Sequence, residues 1–226
     1  MTTRSSDLTA ALGHLRAEVA HLHADLVRSG LVVWTAGNVS ARLPGTDLMV
    51  IKPSGVDYDH LGPENMVVCD LDGNVVEGDL APSSDTAAHA YIYRHLPHVG
   101  GVTHTHSTYA VAWAARGEAV PCVLTAMADE FGGAIPVAPF ALIGSDAIGR
   151  AVVDTLCGST SPAVLVQNHG PFTIGRTARD AVKAAVMCED VCRSVHIARQ
   201  LGEPLPIAPD DIASLHDRYQ HHYGQP

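Results

Sequence analysis

Two histidines one residue apart close an apolar run in Val99-Gly-Gly-Val-Thr-His104-Thr-His106-Ser107. On an extended strand alternate side chains share a face, so His104 and His106 point the same way, with Cα atoms roughly 7 Å apart. Two imidazoles at that spacing can close on one divalent cation. A third candidate, His169, ends another apolar run in Leu165-Val-Gln-Asn-His169-Gly170-Pro171. Three imidazoles with the fourth position open form the donor set of a catalytic Zn²⁺ rather than a structural one. Mn²⁺ and Co²⁺ are compatible with the same ligands. The chain holds 14 histidines, so one His-x-His pair carries little weight without the polar clusters around it.

A divalent ion that grips a carbonyl and the neighbouring hydroxyl stabilises the enediolate left when an adjacent carbon–carbon bond breaks. Such chemistry also needs groups that give and take protons, and Asp85, Asp129 and Tyr223 are the candidates. A phosphorylated substrate needs donors. Thr35, Asn38, Lys52, Ser54, Ser83 and Ser84 supply them, together with the backbone N–H groups at Gly55. Glycine beside small polar residues lets those N–H groups approach an anion, as in Thr35-Ala-Gly-Asn38 and Lys52-Pro-Ser54-Gly55. Ser83-Ser84-Asp85 precedes a helix, where a serine serves as a cap and the free N–H groups attract a phosphate. Taken alone, Asp129 reads as a solvated loop acid and Tyr223 as a terminal residue.

These groups need elements to hold them. From Asp7, the residues Leu8, Leu12, Leu15, Val19, Leu22 and Leu26 recur at steps of four and three, the stripe of an amphipathic helix. His14, His21 and His23 fall off that stripe and read as solvated. Gly30 ends the helix as a left-handed cap, and Leu31–Trp34 reads as a strand. Leu48–Ile51 is a strand, and Asp70-Leu-Asp72-Gly73-Asn is a hairpin turn between Met66–Cys69 and Val75–Val76. The first half therefore reads as a small antiparallel meander packed by the first helix. A helix with Ala88, Ile92 and Leu96 on one face follows Asp85, and another starts at Ser107. Ala126 to Gly133 reads as a polar loop. Ser145 caps a helix through Leu156, and strands at Ala163–Gln167 and Phe172–Ile174 flank the His169 turn. A helix from Thr177 to Leu201 carries Ala181, Ala184, Ala185 and Cys188 on a small-residue face that suits contact with another copy of the chain. Pro204, Pro206 and Pro209 break it, and a short helix from Asp210 leads to the tail.

The 226 residues, 46% hydrophobic and 17% charged, suit one globular α/β or α+β domain covering 1–226. A net charge of −10 argues against a nucleic-acid surface, which needs clustered Lys and Arg. A phosphosugar remains compatible, because local donors decide its binding. No stretch reads as a membrane span or a signal peptide. The five cysteines are scattered, and Cys188 and Cys192, one helical turn apart, read as small apolar helix residues, so the expectation is a reduced, cytoplasmic protein.

Several blocks together resemble the class II aldolase/adducin family, and within it the L-ribulose-5-phosphate 4-epimerases. They are Gly37-Asn-Val-Ser40, Ile51-Lys-Pro-Ser-Gly-Val-Asp-Tyr58, Val75-Val-Glu-Gly78, Pro82-Ser-Ser-Asp-Thr86, Gly100-Gly-Val-Thr-His-Thr-His-Ser107, His169-Gly-Pro-Phe172 and Tyr223-Gly-Gln225. They span nearly the whole chain. The resemblance implies an α+β fold with a central, mostly antiparallel sheet flanked by helices, and a divalent metal on His104, His106 and His169. It implies a retro-aldol step that splits L-ribulose 5-phosphate into the enediolate of dihydroxyacetone and glycolaldehyde phosphate. The aldehyde then turns and the bond re-forms, giving D-xylulose 5-phosphate. Asp85 matches the epimerases, where fuculose-phosphate aldolases usually carry Glu, and Asp129 and Tyr223 match the epimerase acid–base positions. A homotetramer with sites at subunit interfaces is implied too, with Tyr223 coming from a neighbouring chain. Two departures favour an alternative. Met127 stands where the epimerases carry His, and Pro136-Val-Ala-Pro-Phe-Ala-Leu-Ile-Gly lacks their insertion and is similar to the aldolase branch. The alternative is a class II aldolase that cleaves a ketose 1-phosphate such as L-fuculose 1-phosphate to dihydroxyacetone phosphate and an aldehyde. A non-catalytic scaffold like the adducin heads is disfavoured by the three histidines.

Overall fold

A computed structural model describes residues 2–223, so the Gly224-Gln225 end of the Tyr223 block lies outside the described residues. Helix α1 (Thr2–Arg28) begins before Asp7 and buries Leu12, Val19, Leu22 and Leu26. Gly30 ends it at φ 67°, with Leu31 N–H bonded back to Leu26 C=O, a left-handed cap as expected. Strands β1 (Asn38–Arg42), β2 (Leu48–Ile51), β3 (Val67–Asp70) and β4 (Val75–Glu77) form the antiparallel meander. Then come α2 (Thr86–His95), β5 (Gly101–His104), α3 (Thr108–Arg116), α4 (Thr125–Phe131), β6 (Val137–Ala138) and α5 (Ala147–Leu156). Strands β7 (Ala163–Val166) and β8 (Gly170–Gly175), then α6 (Ala178–Leu201) and α7 (Pro209–His222), complete the chain. The sheet has eight strands in the order β4-β3-β2-β1-β5-β8-β7-β6, antiparallel throughout except for β6 against β7. Among the described residues no helix is long and apolar enough to cross a membrane.

The two faces of the sheet follow the two-residue alternation of strands. Val39, Ala41, Val50 and Val68 point to α1 and the start of α6. Met49, Ile51, Val67, Cys69, Val102, Val164 and Phe172 point to α2 and α5. A third cluster joins α3 and α4 to the middle of α6 through Trp113, Met127, Phe131, Cys188 and Val195, with Leu165 from the sheet.

Four expectations are corrected here. Leu31–Trp34 is not a strand: β1 is already paired on both edges, by β2 and β5, and the segment packs inward only through Leu31 and, in part, Val32. Trp34 stands 79% exposed, in the left-handed region at φ 57°. Residues 126–133 are not a loop. Met127 and Phe131, one helical turn apart, are fully buried, and Gly132 at φ 63° caps α4 rather than opening a loop. The Ala181, Ala184 and Ala185 face of α6 is buried within the chain, so it is not a contact surface for another copy. It lies against strand glycines: a Cβ on Gly101 would sit 2.3 Å from Ala178 Cα, and one on Gly175 would sit 2.5 Å from the Ala181 nitrogen.

The fourth correction is His23, which is fully buried rather than solvated. Its Nδ1–H donates to Val19 C=O at 2.7 Å, and its Nε2 accepts the Val39 N–H at 2.9 Å. It thereby ties α1 to the start of β1. Burial pushes its pKa from 6.5 down to about 3. His89 on α2, buried beside Ser40, is pushed down by burial to about 4.

Two outcomes follow from this packing. Gly101→Ala forces a methyl group into the α6 backbone and should lower stability by about 3 kcal/mol or more. Gly13→Ala, in open space within α1, should raise it by about 0.5–1 kcal/mol; urea unfolding compares the two. His23 and His89 stay neutral when folded and take up protons near 6.5 when unfolded, so the unfolded state binds more protons from pH 6.5 down to about 4. Stability is therefore full above pH 6.5 and should fall by up to about 1.4 kcal/mol per pH unit per histidine below it. His23→Leu should be less stable at pH 8 yet show a shallower pH slope.

Candidate metal centre and anion cavity

Three strand ends meet at the histidines. His104 is the last residue of β5, and His106 lies two residues on, where the extended chain leads into α3. His169 sits in the short turn between β7 and β8, where Asn168 adopts φ 57°. One nitrogen from each ring can be chosen so that all three lie within 4.8 Å of one another. The ring centroids are 4.5 Å apart for His104 and His169, and 4.8 Å apart for His104 and His106. Phe172 stacks on His104 at 4.2 Å and closes the cluster from below.

The protonation state is set locally. His104 Nδ1–H donates to the Pro171 carbonyl at 3.0 Å, which leaves Nε2 as the lone-pair nitrogen. Burial pushes the His104 pKa down to about 3, and burial also lowers His106 and His169. All three are neutral imidazoles at neutral pH. His104 Nε2 and His169 Nδ1 are buried without a hydrogen-bond partner among the described residues. An orphaned buried nitrogen is destabilising unless something binds it, and a divalent cation coordinated by the three rings meets that need. The donor set fits such an ion.

Beside the cluster lies a cavity of about 310 Å³. Its wall includes Thr35, Asn38, Lys52, Ser54, Gly55, Ser83, Ser84, Asp85, His106 and His169, so the anion-binding candidates and Asp85 share one space with the histidines. Gly37 makes this possible. At φ 81° its missing Cβ would stand 2.8 Å from Val32 Cγ1 and 3.0 Å from the His104 carbonyl oxygen. Lys52 is buried, which lowers its pKa, and Nζ donates to Thr35 C=O at 3.0 Å and Pro53 C=O at 3.3 Å. One of its three donors is left for the cavity. Asp85 is the N-cap residue of α2 but makes no side-chain cap. Instead its carboxylate accepts Asn38 Nδ2–H at 2.7 Å, while Asn38 also donates to Ser83 Oγ at 3.1 Å. Burial opposes its ionisation, but His104, His89, the Asn38 hydrogen bond and His169 together hold its pKa below the usual carboxylate value.

Asp129 and Tyr223 are not among the residues lining this cavity. Asp129 is on α4, where its carbonyl accepts from His216 at 2.9 Å and its carboxylate lies 3.5 Å from Arg218. Tyr223 follows α7, is 66% exposed, and stacks on Tyr219 at 4.8 Å. Three contributors escaped the sequence reading. The Tyr58 hydroxyl donates to the Ala36 and Gly37 carbonyls and holds the anion loop, although Tyr58 ends one of the family blocks. The Glu189 carboxylate takes the Tyr109 and Ala110 N–H groups at the start of α3, just after His106. Ile143 lines the cavity from the exposed loop after β6. Glu189 belongs to none of the blocks quoted above, and Ile143 lies in the segment after Pro136, which resembles the aldolase branch without marking a site residue.

A family model described as the Class II Aldolase and Adducin N-terminal domain matches residues 17–196. Proteins named L-ribulose-5-phosphate 4-epimerase UlaF from Salmonella paratyphi B and Salmonella typhi are 42% identical over 226 residues, with 93% of this chain and 98% of theirs covered. Among solved structures, an L-fuculose 1-phosphate aldolase matches with a TM-score of 0.86 at 27% identity, covering 92% of this chain and 96% of its own. The L-fuculose-1-phosphate aldolase of Thermus thermophilus, at 24% identity and a TM-score of 0.68 over 87% of this chain and 99% of its own, shares the fold. A family match that runs from the middle of α1 into the second half of α6, and takes in all three clustered histidines, makes this chain a member of the class II aldolase/adducin family.

Proposed function

We propose that the protein interconverts L-ribulose 5-phosphate and D-xylulose 5-phosphate by breaking and re-forming one carbon–carbon bond. The observation that carries this reading is one cavity lined both by His106 and His169 of the three-imidazole cluster and by the candidate anion donors. The 42% identity to the UlaF epimerases supports the choice of sugar. His104, His106 and His169 would hold a divalent ion, Zn²⁺ by preference for three imidazoles, which supplies a Lewis acid for the ketose carbonyl and its neighbouring hydroxyl.

The remaining work falls to the side chains. The Ser54, Ser83 and Ser84 hydroxyls, Thr35 and the N–H groups at Gly55 bind the phosphate, and Lys52 adds a fixed positive charge. Asn38, expected among these donors, instead spends both side-chain N–H groups on Asp85 and Ser83 and orients them. An anchored phosphate lets the aldehyde fragment turn without leaving. Asp85, ionised and oriented by Asn38, accepts a hydrogen bond from a substrate hydroxyl beside the imidazoles and takes or returns its proton. Re-addition from the opposite face of a planar aldehyde requires proton transfer on both sides, and one group cannot reach both. Asp129 and Tyr223 serve as that pair. Neither lines the cavity of its own chain, which supports their delivery by a second copy in a homotetramer with sites at the interfaces.

Ketose 1-phosphate cleavage is the second reading. It is favoured by the structural likeness to L-fuculose 1-phosphate aldolase and by the short segment after Pro136.

Two experiments test the assignment. Metal analysis should find one divalent ion per chain, and His106→Ala should lose metal and turnover together while its circular dichroism is unchanged; full activity in a metal-free preparation contradicts this. NMR of the enzyme with L-ribulose 5-phosphate should show D-xylulose 5-phosphate accumulating. Asp129→Asn and Tyr223→Phe should each be slower by about 10²-fold or more with metal retained. Release of dihydroxyacetone phosphate from L-fuculose 1-phosphate, with no epimerisation of the 5-phosphate, replaces this reading with the aldolase.

A further inference from the structure

The two acid–base residues are far apart in sequence, yet one junction of three helices holds both. Glu130, next to Asp129 on α4, is only 5% exposed, and its carboxylate pairs with Lys183 Nζ of α6 at 3.0 Å. The same Nζ lies 5.2 Å from the centre of the Tyr219 ring of α7. Burial, and after it the Glu130 carboxylate, raise the Tyr219 phenol above its ordinary pKa, as expected for a ring packed against that pair. Tyr219 in turn stacks on Tyr223 at 4.8 Å, with the ring planes 23° apart. On the other side of α4, the Asp129 carbonyl accepts from His216 of α7.

We propose that Lys183, Glu130 and Tyr219 are positioning residues that make Asp129 and Tyr223 one pre-assembled unit, carried by α4 and α7 of one chain. The inference rests on the acid–base reading of that pair. A buried carboxylate is tolerated only while its cation stays in place, so the Lys183–Glu130 pair fixes α4 against α6 and gives Tyr219 a cationic, apolar seat. The Tyr219 ring then limits where Tyr223 can stand at the otherwise free end of α7. Proton transfer on both sides of a turning aldehyde needs both groups at fixed separation, and a misplacement of about 1 Å can slow a reaction by about 10²-fold. The junction touches neither the histidines nor the anion cavity, so it should govern the rate and leave metal and substrate binding alone.

The test uses the full-length, metal-loaded protein. Lys183→Met removes the cation and Tyr219→Leu removes the stack; Lys183→Arg keeps the charge and Tyr219→Phe keeps the ring. Lys183→Met and Tyr219→Leu should each lower kcat for L-ribulose 5-phosphate by about 10-fold or more, with KM changed by less than about twofold and metal content unchanged. Lys183→Arg and Tyr219→Phe should recover most of the rate. A second readout needs neither metal nor substrate. In protein labelled with 3-fluorotyrosine, the ¹⁹F resonance lost in Tyr223→Phe should move toward its solvent position in Lys183→Met and stay put in Lys183→Arg. Wild-type kcat in both Lys183→Met and Tyr219→Leu, while Tyr223→Phe is slow, overturns the junction. Wild-type rates in Asp129→Asn and Tyr223→Phe overturn instead the acid–base reading beneath it. If Lys183→Met does not fold, the kinetics of Tyr219→Leu against Tyr219→Phe, at a half-buried surface ring, decide the matter.

Discussion

The site depends on how closely three pieces of backbone approach His104. The end of β5, the loop before β1 and the turn into β8 converge there, and two glycines permit it. A Cβ on Gly37 would press on the His104 carbonyl at 3.0 Å, and one on Gly170 would stand 2.7 Å from the Thr105 carbonyl oxygen. The hydrogen bond from His104 Nδ1–H to the Pro171 carbonyl locks the same point from the side-chain direction. Once these strands are drawn together, the His106 and His169 rings stand beside His104, with centroids 4.8 and 4.5 Å away. Glu189 adds to this by satisfying the first N–H groups of α3, so the chain leaves His106 along one path.

Burial sets the chemistry of that point. It keeps the imidazoles neutral and lowers the Lys52 pKa, whereas Asp85, whose burial opposes ionisation, has its pKa held below the usual carboxylate value by the surrounding histidines and the Asn38 hydrogen bond. The cavity wall thus combines ring nitrogens of His106 and His169, hydroxyl and N–H donors with a lysine charge, and the Asp85 carboxylate. A substrate with an anionic end and a carbonyl or hydroxyl end finds partners for both on that wall. The rest of the fold keeps the wall rigid. α6 lies close on the sheet through alanine and glycine contacts, and His23 fastens α1 to the start of β1, one residue from Asn38.

The acid–base candidates belong to a different part of the molecule. Asp129 and Tyr223 ride on α4 and α7, which pack on each other and on α6 rather than on the cavity. Their fixity comes from the pairing of a half-exposed lysine with a buried carboxylate and from a ring stack, interactions that hold a surface element in place without filling a core.

By itself the sequence singled out the candidate metal ligands, the candidate anion donors and most of the elements. These signals are local: a two-residue histidine spacing at the end of an apolar run, glycines beside small polar residues, and helix stripes such as Leu12 to Leu26. The meander, the α2 and α5 helices and the long α6 could be read the same way. What escaped depends on neighbours far along the chain. Leu31–Trp34 has the composition of a strand, but β1, the strand it leads into, is paired on both edges. His23 lies off the helical stripe, yet the sheet brought it the Val39 N–H. Residues 126–133 looked polar because Asp129 and Glu130 lie among them, and only packing against α6 and α7 made a helix of them. The alanine face of α6 suggested another subunit, but Gly101 and Gly175 brought the sheet close enough to cover it. Tertiary structure decided these cases because each turns on which surface arrives opposite a segment, and local residue types do not encode that.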